Sequence, residues 1–364
     1  MLNISKPISE TTIVVAMSGG VDSSTVAALL HEAGYKVIGI TLQLYDYGMT
    51  VGKKGACCAG QDIYDAKMVA AKLDIPHYVL DYESRFKEAV IEDFVDSYIR
   101  GETPLPCVRC NQSVKFVDLM KMAKELGADG LVTGHYVRRV DGLEGAELHS
   151  GIDPKKDQSY FLFATTKEQI SYIHFPLGSM TKDETRAHAV RFGLQVADKP
   201  DSQDICFVPE GSYATLVAKI RPDAAKPGKV LHIDGFEIGT HKGIIYHTIG
   251  QRKGLGIAHP EPLYVTKIDP EQNIIYVGPV DSLQKTEFRI KELNWLGEGG
   301  GFPEGIEVSI KIRSTQPPVH AILSHFSEGE AIVQLLTPDK AITPGQACVI
   351  YDGTRVLGGG WITR

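Results

Sequence analysis

Apolar and polar positions change their period once along the 364 residues, and that change divides the chain. In the first part, short apolar runs alternate with stretches whose apolar residues recur every three or four positions. Thr12-Ile13-Val14-Val15, β-branched and apolar, predicts a buried strand. After a turn rich in glycine and serine, Val26, Ala27, Leu29 and Leu30 follow helical spacing until Gly34 ends the run. Residues 36–44 predict a second strand, followed by a polar, glycine-rich loop through Gly60. Residues 63–73 predict a helix and 77–80 a short strand. Two further helices are predicted at 86–99 and 113–126, and Leu131-Val132-Thr133 forms a strand that ends at Gly134. This alternation predicts an α/β domain built on a parallel sheet with helices on both faces. Ligands of such sheets bind beyond the carboxyl ends of the strands.

Near Gly211 the rhythm gives way to short strands. Segments 229–234 and 263–268 are separated by Gly and Pro turns, and from Phe288 onward the pattern is all-β. Strands predicted at 308–313, 319–325, 331–336, 347–351 and 356–362 have the regular spacing of a small barrel. The predicted organisation is a catalytic domain over 1–210, a small linker domain over 211–279 and a C-terminal β-barrel over 280–364.

Composition narrows the class. Hydrophobic content of 43% and charged content of 23% are those of a soluble globular protein. No apolar run approaches the roughly 20 residues of a membrane helix, and the N-terminus lacks a signal-peptide core, so a cytoplasmic protein is expected. Six cysteines in a chain of this length do not make a disulfide scaffold. The net charge of −7 argues mildly against a nucleic-acid partner, but binding needs only a local basic patch.

The turn after the first strand reads Ala16-Met17-Ser18-Gly19-Gly20-Val21-Asp22-Ser23-Ser24. Two glycines let backbone N–H groups close around a phosphate at the positive end of the following helix. Ser18, Ser23 and Ser24 add hydroxyls, and Asp22 can cap the helix or hold Mg²⁺. The Walker and Rossmann patterns fit worse, lacking respectively the Lys-Ser/Thr pair and the three spaced glycines. A well-capped turn without ligand is the bland alternative.

Thr103-Pro104-Leu105-Pro106-Cys107-Val108-Arg109-Cys110-Asn111 places two cysteines three apart before a helix. A thiol there, beside Arg109, is expected to have a lowered pKa and to act as a nucleophile. The same spacing suits a metal or an iron–sulfur cluster. Lys199-Pro200-Asp201-Ser202-Gln203-Asp204-Ile205-Cys206-Phe207 ends a polar run in a single cysteine, and Lys155-Lys156-Asp157-Gln158-Ser159-Tyr160-Phe161 is a basic, amide-rich turn.

The SGGVDS string resembles the PP-loop of ATP pyrophosphatases, the adenine nucleotide α-hydrolase-like proteins that adenylate a substrate oxygen and release pyrophosphate. The ordered set SGGVDS, TP-x-P-x-x-x-C-N, Gly134-His135-Tyr136, KDQSY, SQDICF and 247–256 (HTIGQRKGLG) resembles the tRNA-specific 2-thiouridylases almost from end to end. That resemblance implies an ATP- and Mg²⁺-dependent transferase that modifies tRNA. It implies that Ala16, Met17, Ser18, Gly19, Gly20, Val21, Asp22, Ser23, Leu42 and Gly134 bind ATP. Cys110 would be the nucleophile and Cys206 the persulfide carrier, the two ending as a disulfide. Leu105, Pro106 and Cys107 would lie against the target base, and Lys156, Asp157, Gln158, Arg313 and Ser314 would touch tRNA. A persulfide carrier or cysteine desulfurase would supply sulfur.

Cys107 departs from the family, many of whose members have Asp there. Cys107, Cys110 and Cys206 thus also resemble the three-cysteine, iron–sulfur-dependent tRNA thiolases. Another PP-loop ligase or amidotransferase is a further alternative, against which the paired sulfur-transfer cysteines argue; a non-catalytic RNA-binding module with a degenerate loop is the other, against which the intact Ser18 to Ser23 run argues. Cys57 and Cys58 are expected to be structural or to lie at the site's rim, and Cys348 to be a core thiol. His31 and His320 lack metal spacing, and His135 follows a glycine of the nucleotide site. Arg221, Lys226, Lys229, Lys242, Arg252 and Lys253 form the best local basic patch, set against a solvated charged face as the alternative.

Overall fold

A computed structural model describes residues 2–45, 58–201, 205–208, 213–340 and 342–363. The chain divides into two compact units, one of residues 1–90, 107–209 and 354–356, the other of 91–106, 210–353 and 357–364.

The first unit is organised by strands β1 (Thr12–Ala16), β2 (Lys36–Gln43), β3 (His77–Asp81) and β4 (Gly130–Val132). An antiparallel hairpin, β5 (Val137–Gly142) and β6 (Gly145–Ser150), precedes a two-residue strand, β7 (Ile173–His174). Sheet order is β3-β2-β1-β4-β7, and every pairing in it is parallel. Ile13, Val14 and Val15 of β1 are fully buried, the continuous apolar run of a central parallel strand. Helix α1 (Val21–Glu32) follows β1, and Gly34 turns the chain back at φ +91°. Helix α2 (Cys58–Lys72) follows β2, and its Ala66, Val69 and Ala70 pack in the same core as Val26 and Leu30 of α1.

The differences from the predicted elements have local causes. The helix expected at 113–126 starts earlier, at Pro106: α3 (Pro106–Cys110) runs through a π-helical turn over Asn111–Lys115 into α4 (Phe116–Glu125). Proline fits a first helical position because its missing N–H is not needed there. The predicted helix over 86–99 begins at Glu83 and also contains a π turn, Lys87–Ile91. Helix α5 (Lys182–Arg191) had no apolar stripe to announce it; a capping box of Thr181 and Glu184 starts it. The expected loop at 45–60 lies largely outside the described residues, Cys57 with it, and Cys58 opens α2.

In the second unit, β8 (Gly228–His232), β9 (Glu237–His241), β10 (Tyr264–Asp269) and β11 (Ile274–Gly278) form a sheet in the order β10-β11-β8-β9. Strands β12 (Lys285–Trp295), β13 (Ile306–Lys311), β14 (Val319–Ser327), β15 (Glu330–Asp339), β16 (Ala347–Asp352) and β17 (Arg355–Ile362) follow in the order β12-β15-β14-β13-β16-β17. β12 pairs with β17 at Ile290↔Ile362, which closes the barrel and removes its edges. Its interior holds Ile290, Ile310, Leu323, Val333, Ile350 and the fully buried Cys348.

Candidate active site

The glycine-rich turn lies at the carboxyl end of the central strand. Gly19 has φ +74°, and a Cβ there would fall 2.0 Å from the Asp62 carbonyl oxygen, so only glycine fits. The Ser18 N–H donates to Ser23 Oγ at 3.1 Å, and the two hydroxyl oxygens lie 3.2 Å apart. Gly20 caps α1 without any side-chain hydrogen bond, which leaves the first-turn N–H groups for an anion. Gly134, just past β4, comes against that same turn: a Cβ there would be 2.9 Å from the Ser23 nitrogen. Leu42 sits near the carboxyl end of β2, the neighbour of β1. Backbone donors, small residues and hydroxyls thus converge as a phosphate cradle requires. Ser24 does not take part as expected, because its hydroxyl is wholly buried.

Asp22 departs from its expected use as a helix cap. Its Oδ1 accepts hydrogen bonds from the Tyr136 hydroxyl at 2.8 Å and from Lys182 Nζ at 2.7 Å, and Lys182 also reaches Oδ2 at 2.9 Å. Lys182 is buried and pairs as well with Asp201 at 2.7 Å. Asp201 also holds Lys156 at 2.6 Å and Arg186 at 3.3 Å. Burial opposes its charge, yet hydrogen bonds from Lys156 and Lys182 win and hold its pKa at about 2. Lys199 ties the loop from another side. Its ammonium donates to the Gly19 carbonyl at 3.0 Å and to Asp62 and Asp65 at 2.6 Å each.

The thiols expected to transfer sulfur lie in the same unit as the cradle. Cys107 and Cys110 stand three apart on α3, and Cys110 is buried while Cys107 reaches the surface. Cys206, in the turn 205–208, is also exposed at its surface. Phe207 anchors that turn edge-on to Phe86, their ring centroids 5.6 Å apart. The lowered thiol pKa expected at a helix start is not found. Cys110 ends α3 rather than opening a helix, and burial raises its pKa, with Cys107 adding to the effect and Lys115 opposing it. Cys107 and Cys206 reach the surface, yet the protein packed around their sulfurs withholds water and raises both, Cys206 to about 12 with the Cys110 charge next in weight; Lys115 opposes the shift at both, and a hydrogen bond from Tyr45 opposes it at Cys206. Arg109, the expected partner, turns to Gln112 at 3.1 Å. His135 bonds Thr133 at 2.8 Å through Nδ1; burial and then the Lys115 charge lower its pKa to about 3, so it stays neutral.

Among the described residues, no three His, Cys, Asp or Glu side chains are arranged to hold a metal ion. Both Asp22 oxygens accept hydrogen bonds, from Tyr136 and Lys182.

Of the residues expected at tRNA, Leu105 is half-buried and Pro106 opens α3. Lys156 is paired with Asp201. Asp157 accepts the Gly151 and Ser159 N–H groups, each at 3.1 Å, and Gln158 accepts the Tyr136 N–H at 2.9 Å. Asp157 thus braces its own turn, while Lys156 and Gln158 tie it to Asp201 and Tyr136. Arg313 and Ser314 follow β13, Arg313 exposed. Lys226, Lys229, Lys242, Arg252 and Lys253 are exposed, Lys229 pairing with Glu237 at 2.9 Å. Lys115, Lys182, Lys199 and Tyr136 were not singled out from the sequence. Lys199 and Tyr136 lie inside the 199–207 and Gly134-His135-Tyr136 motifs; Lys115 carried no signal beyond its place in a predicted helix, and Lys182 lies in a helix that no apolar stripe marks.

The cradle and sheet define a nucleotide-binding α/β protein of the HUP class. The model of the "tRNA methyl transferase HUP domain" matches residues 11–210, with the PRC-barrel domain of the same series at 215–279 and an "aminomethyltransferase beta-barrel domain" at 285–362. The tRNA-specific 2-thiouridylase MnmA of Rickettsia africae (strain ESF-5) is 67% identical over 355 residues, covering 98% of this chain and 97% of that one. Its namesake from Rickettsia bellii (strain OSU 85-389) is 68% identical with the same coverage. The chain belongs to the tRNA-specific 2-thiouridylase family. Among the described residues, no helix is long and apolar enough to cross a membrane.

Proposed function

We propose that the chain catalyses ATP-dependent 2-thiolation of the wobble uridine of tRNA. The observation that carries this reading is the set of thiols in the unit that also holds the phosphate cradle, with Cys110 acting electrostatically on Cys206 despite their separation in sequence. A uracil O2 is a poor leaving group. Its attack on the α-phosphorus of ATP expels pyrophosphate and leaves an adenylate. Mg²⁺ would travel with the ATP phosphates and supply charge neutralisation to them. The cradle of Gly19, Gly20, Ser18 and Ser23 would orient those phosphates, and Gly134 and Leu42 would border the nucleotide.

Cys206 carries a sulfane sulfur delivered by a persulfide carrier or cysteine desulfurase. The outer sulfur attacks C2, AMP leaves, and the Cys110 sulfur then attacks the Cys206 sulfur. The base retains the outer sulfur as its 2-thio group, and a Cys110–Cys206 disulfide remains for an external thiol to reduce. Protons from the persulfide and from Cys110 pass to water. Leu105, Pro106 and Cys107 would border a uridine drawn out of its stack, while Arg313, Ser314 and the exposed cations of 221–253 would face the tRNA backbone.

The test combines purified chain, ATP, tRNA and a persulfide donor. Pyrophosphate should be released and 2-thiouridine formed, and both Cys110→Ser and Cys206→Ser should lose thiolation by at least about 1,000-fold. Labelled sulfur should stay on the protein in Cys110→Ser and be missing in Cys206→Ser. Full thiolation by either variant would overturn the assignment.

A further inference from the structure

Lys115 is the unexpected member of the thiol cluster. It stands five residues after Cys110, and in a regular α-helix that separation would turn it about 140° away. The π-helical turn over Asn111–Lys115 widens the helix at this point and returns position five to the face of position zero. Lys115 acts electrostatically on Cys107, Cys110 and Cys206 alike. Its own ammonium has no hydrogen bond and no carboxylate partner among the described residues, although the side chain is half-buried. A sheltered ammonium without a counter-charge is costly to maintain. Burial lowers its affinity for a proton, and the neighbouring sulfurs, Cys110 first, raise it further than burial lowers it.

The other titratable groups on the cluster do not supply that positive charge. His135, which follows β4, is held neutral, and Tyr45, beyond the end of β2, gives Cys206 a hydroxyl hydrogen bond and no charge. Among the described residues, Lys115 is the cation that acts on these thiols.

We propose that Lys115 is the positioning residue of the sulfur-transfer cluster, its ammonium being the counter-charge for one anionic sulfur at a time on Cys110 or Cys206. One cation against three sulfurs stabilises the first negative charge, and that charge then repels the next. The resting cluster stays protonated because burial prevails. A persulfide, more acidic than a thiol, becomes the anion that Lys115 holds, and the charge passes to Cys110 when its sulfur must attack. This inference rests on the reading of Cys110 and Cys206 as the sulfur-transfer pair.

The experiment measures iodoacetamide alkylation of each cysteine against pH by mass spectrometry, on the full chain without ATP or tRNA. In Lys115→Met, alkylation of Cys110 and Cys206 at pH 8 should slow about ten-fold and their profiles should move to higher pH. Lys115→Arg should keep the wild-type profile. Cys348, buried in the barrel and remote from Lys115 in sequence, serves as the internal control for folding. If it becomes reactive in Lys115→Met, Lys115→Gln replaces that variant and the same shift is required. Profiles of Cys110 and Cys206 that superimpose on wild type in a folded variant overturn the proposal. A shifted profile in a protein whose wild type forms no 2-thiouridine leaves Lys115 in its role and removes the assigned reaction.

Discussion

Gly19 and Asp201 carry opposite kinds of constraint. At Gly19 the constraint is steric: the backbone sits in the left-handed region and the Asp62 carbonyl occupies the space of a side chain. Gly19→Ala should therefore lower stability by about 1–3 kcal/mol and abolish ATP binding, read as loss of ATP-dependent protection in thermal melts. Unchanged protection would show that the cradle is not the nucleotide site. At Asp201 the constraint is electrostatic. Its pKa falls from an ordinary 3.8 to about 2 in the fold. A lowered folded-state value means its contribution is present above about 4 and fades as pH falls toward about 2. Asp201→Asn should cost about 2 kcal/mol at pH 7, and the gap from wild type should narrow in urea melts at pH 3. A gap that widened on acidification would contradict the sign.

Elements place side chains by their termini and irregularities more than by their length. The capping box at Thr181 fixes where α5 starts, and Lys182, its first residue, thereby meets Asp22 and Asp201. Thr181→Ala should cost about 1 kcal/mol in melting experiments. It should also weaken ATP binding beyond what the Thr181 side chain itself could contribute, since Lys182 loses its fixed origin. A stability loss with unaltered ATP binding would reduce Lys182 to a packing role. The π turn after Cys110 works in the same way, since a one-residue irregularity selects which cation the thiol meets.

At the scale of the whole chain, a net charge of −7 coexists with exposed cations concentrated between 221 and 253. Phosphate contacts should then come from few residues, and salt dependence should be shallow. Replacing Arg252 and Lys253 together by Glu should weaken tRNA binding at every sequence tested and reduce the slope of log K against log salt by about two. A slope equal to wild type would move the tRNA surface elsewhere. Neither residue belongs to the cradle or the thiol cluster, so ATP binding should be unaffected.

What the sequence determined by itself were the features written in local pattern. β-branched runs such as 12–15 and the apolar alternation of the barrel strands have one stable arrangement, burial, and the glycines of the cradle have conformations no other residue adopts cheaply. The motifs around Ser18, Cys110 and Cys206 were legible because chemistry needs those residue types at those spacings. The hairpin β5–β6 and helix α5 were not legible, because half-exposed strands and a polar helix bury too little to leave a period. The charge state of the thiols was misjudged for a related reason: a pKa is set by burial and by neighbours through space, and Cys110 meets burial and Lys115 where the sequence offered a helix start and Arg109. Tertiary structure alone decided that Asp22 is spent on Lys182 and Tyr136, that Lys199 holds the Gly19 carbonyl, and that Lys115, without a partner among the described residues, acts on three sulfurs. Each of those contacts joins residues far apart in the chain or turned by an irregular helix, and no one-dimensional pattern encodes either.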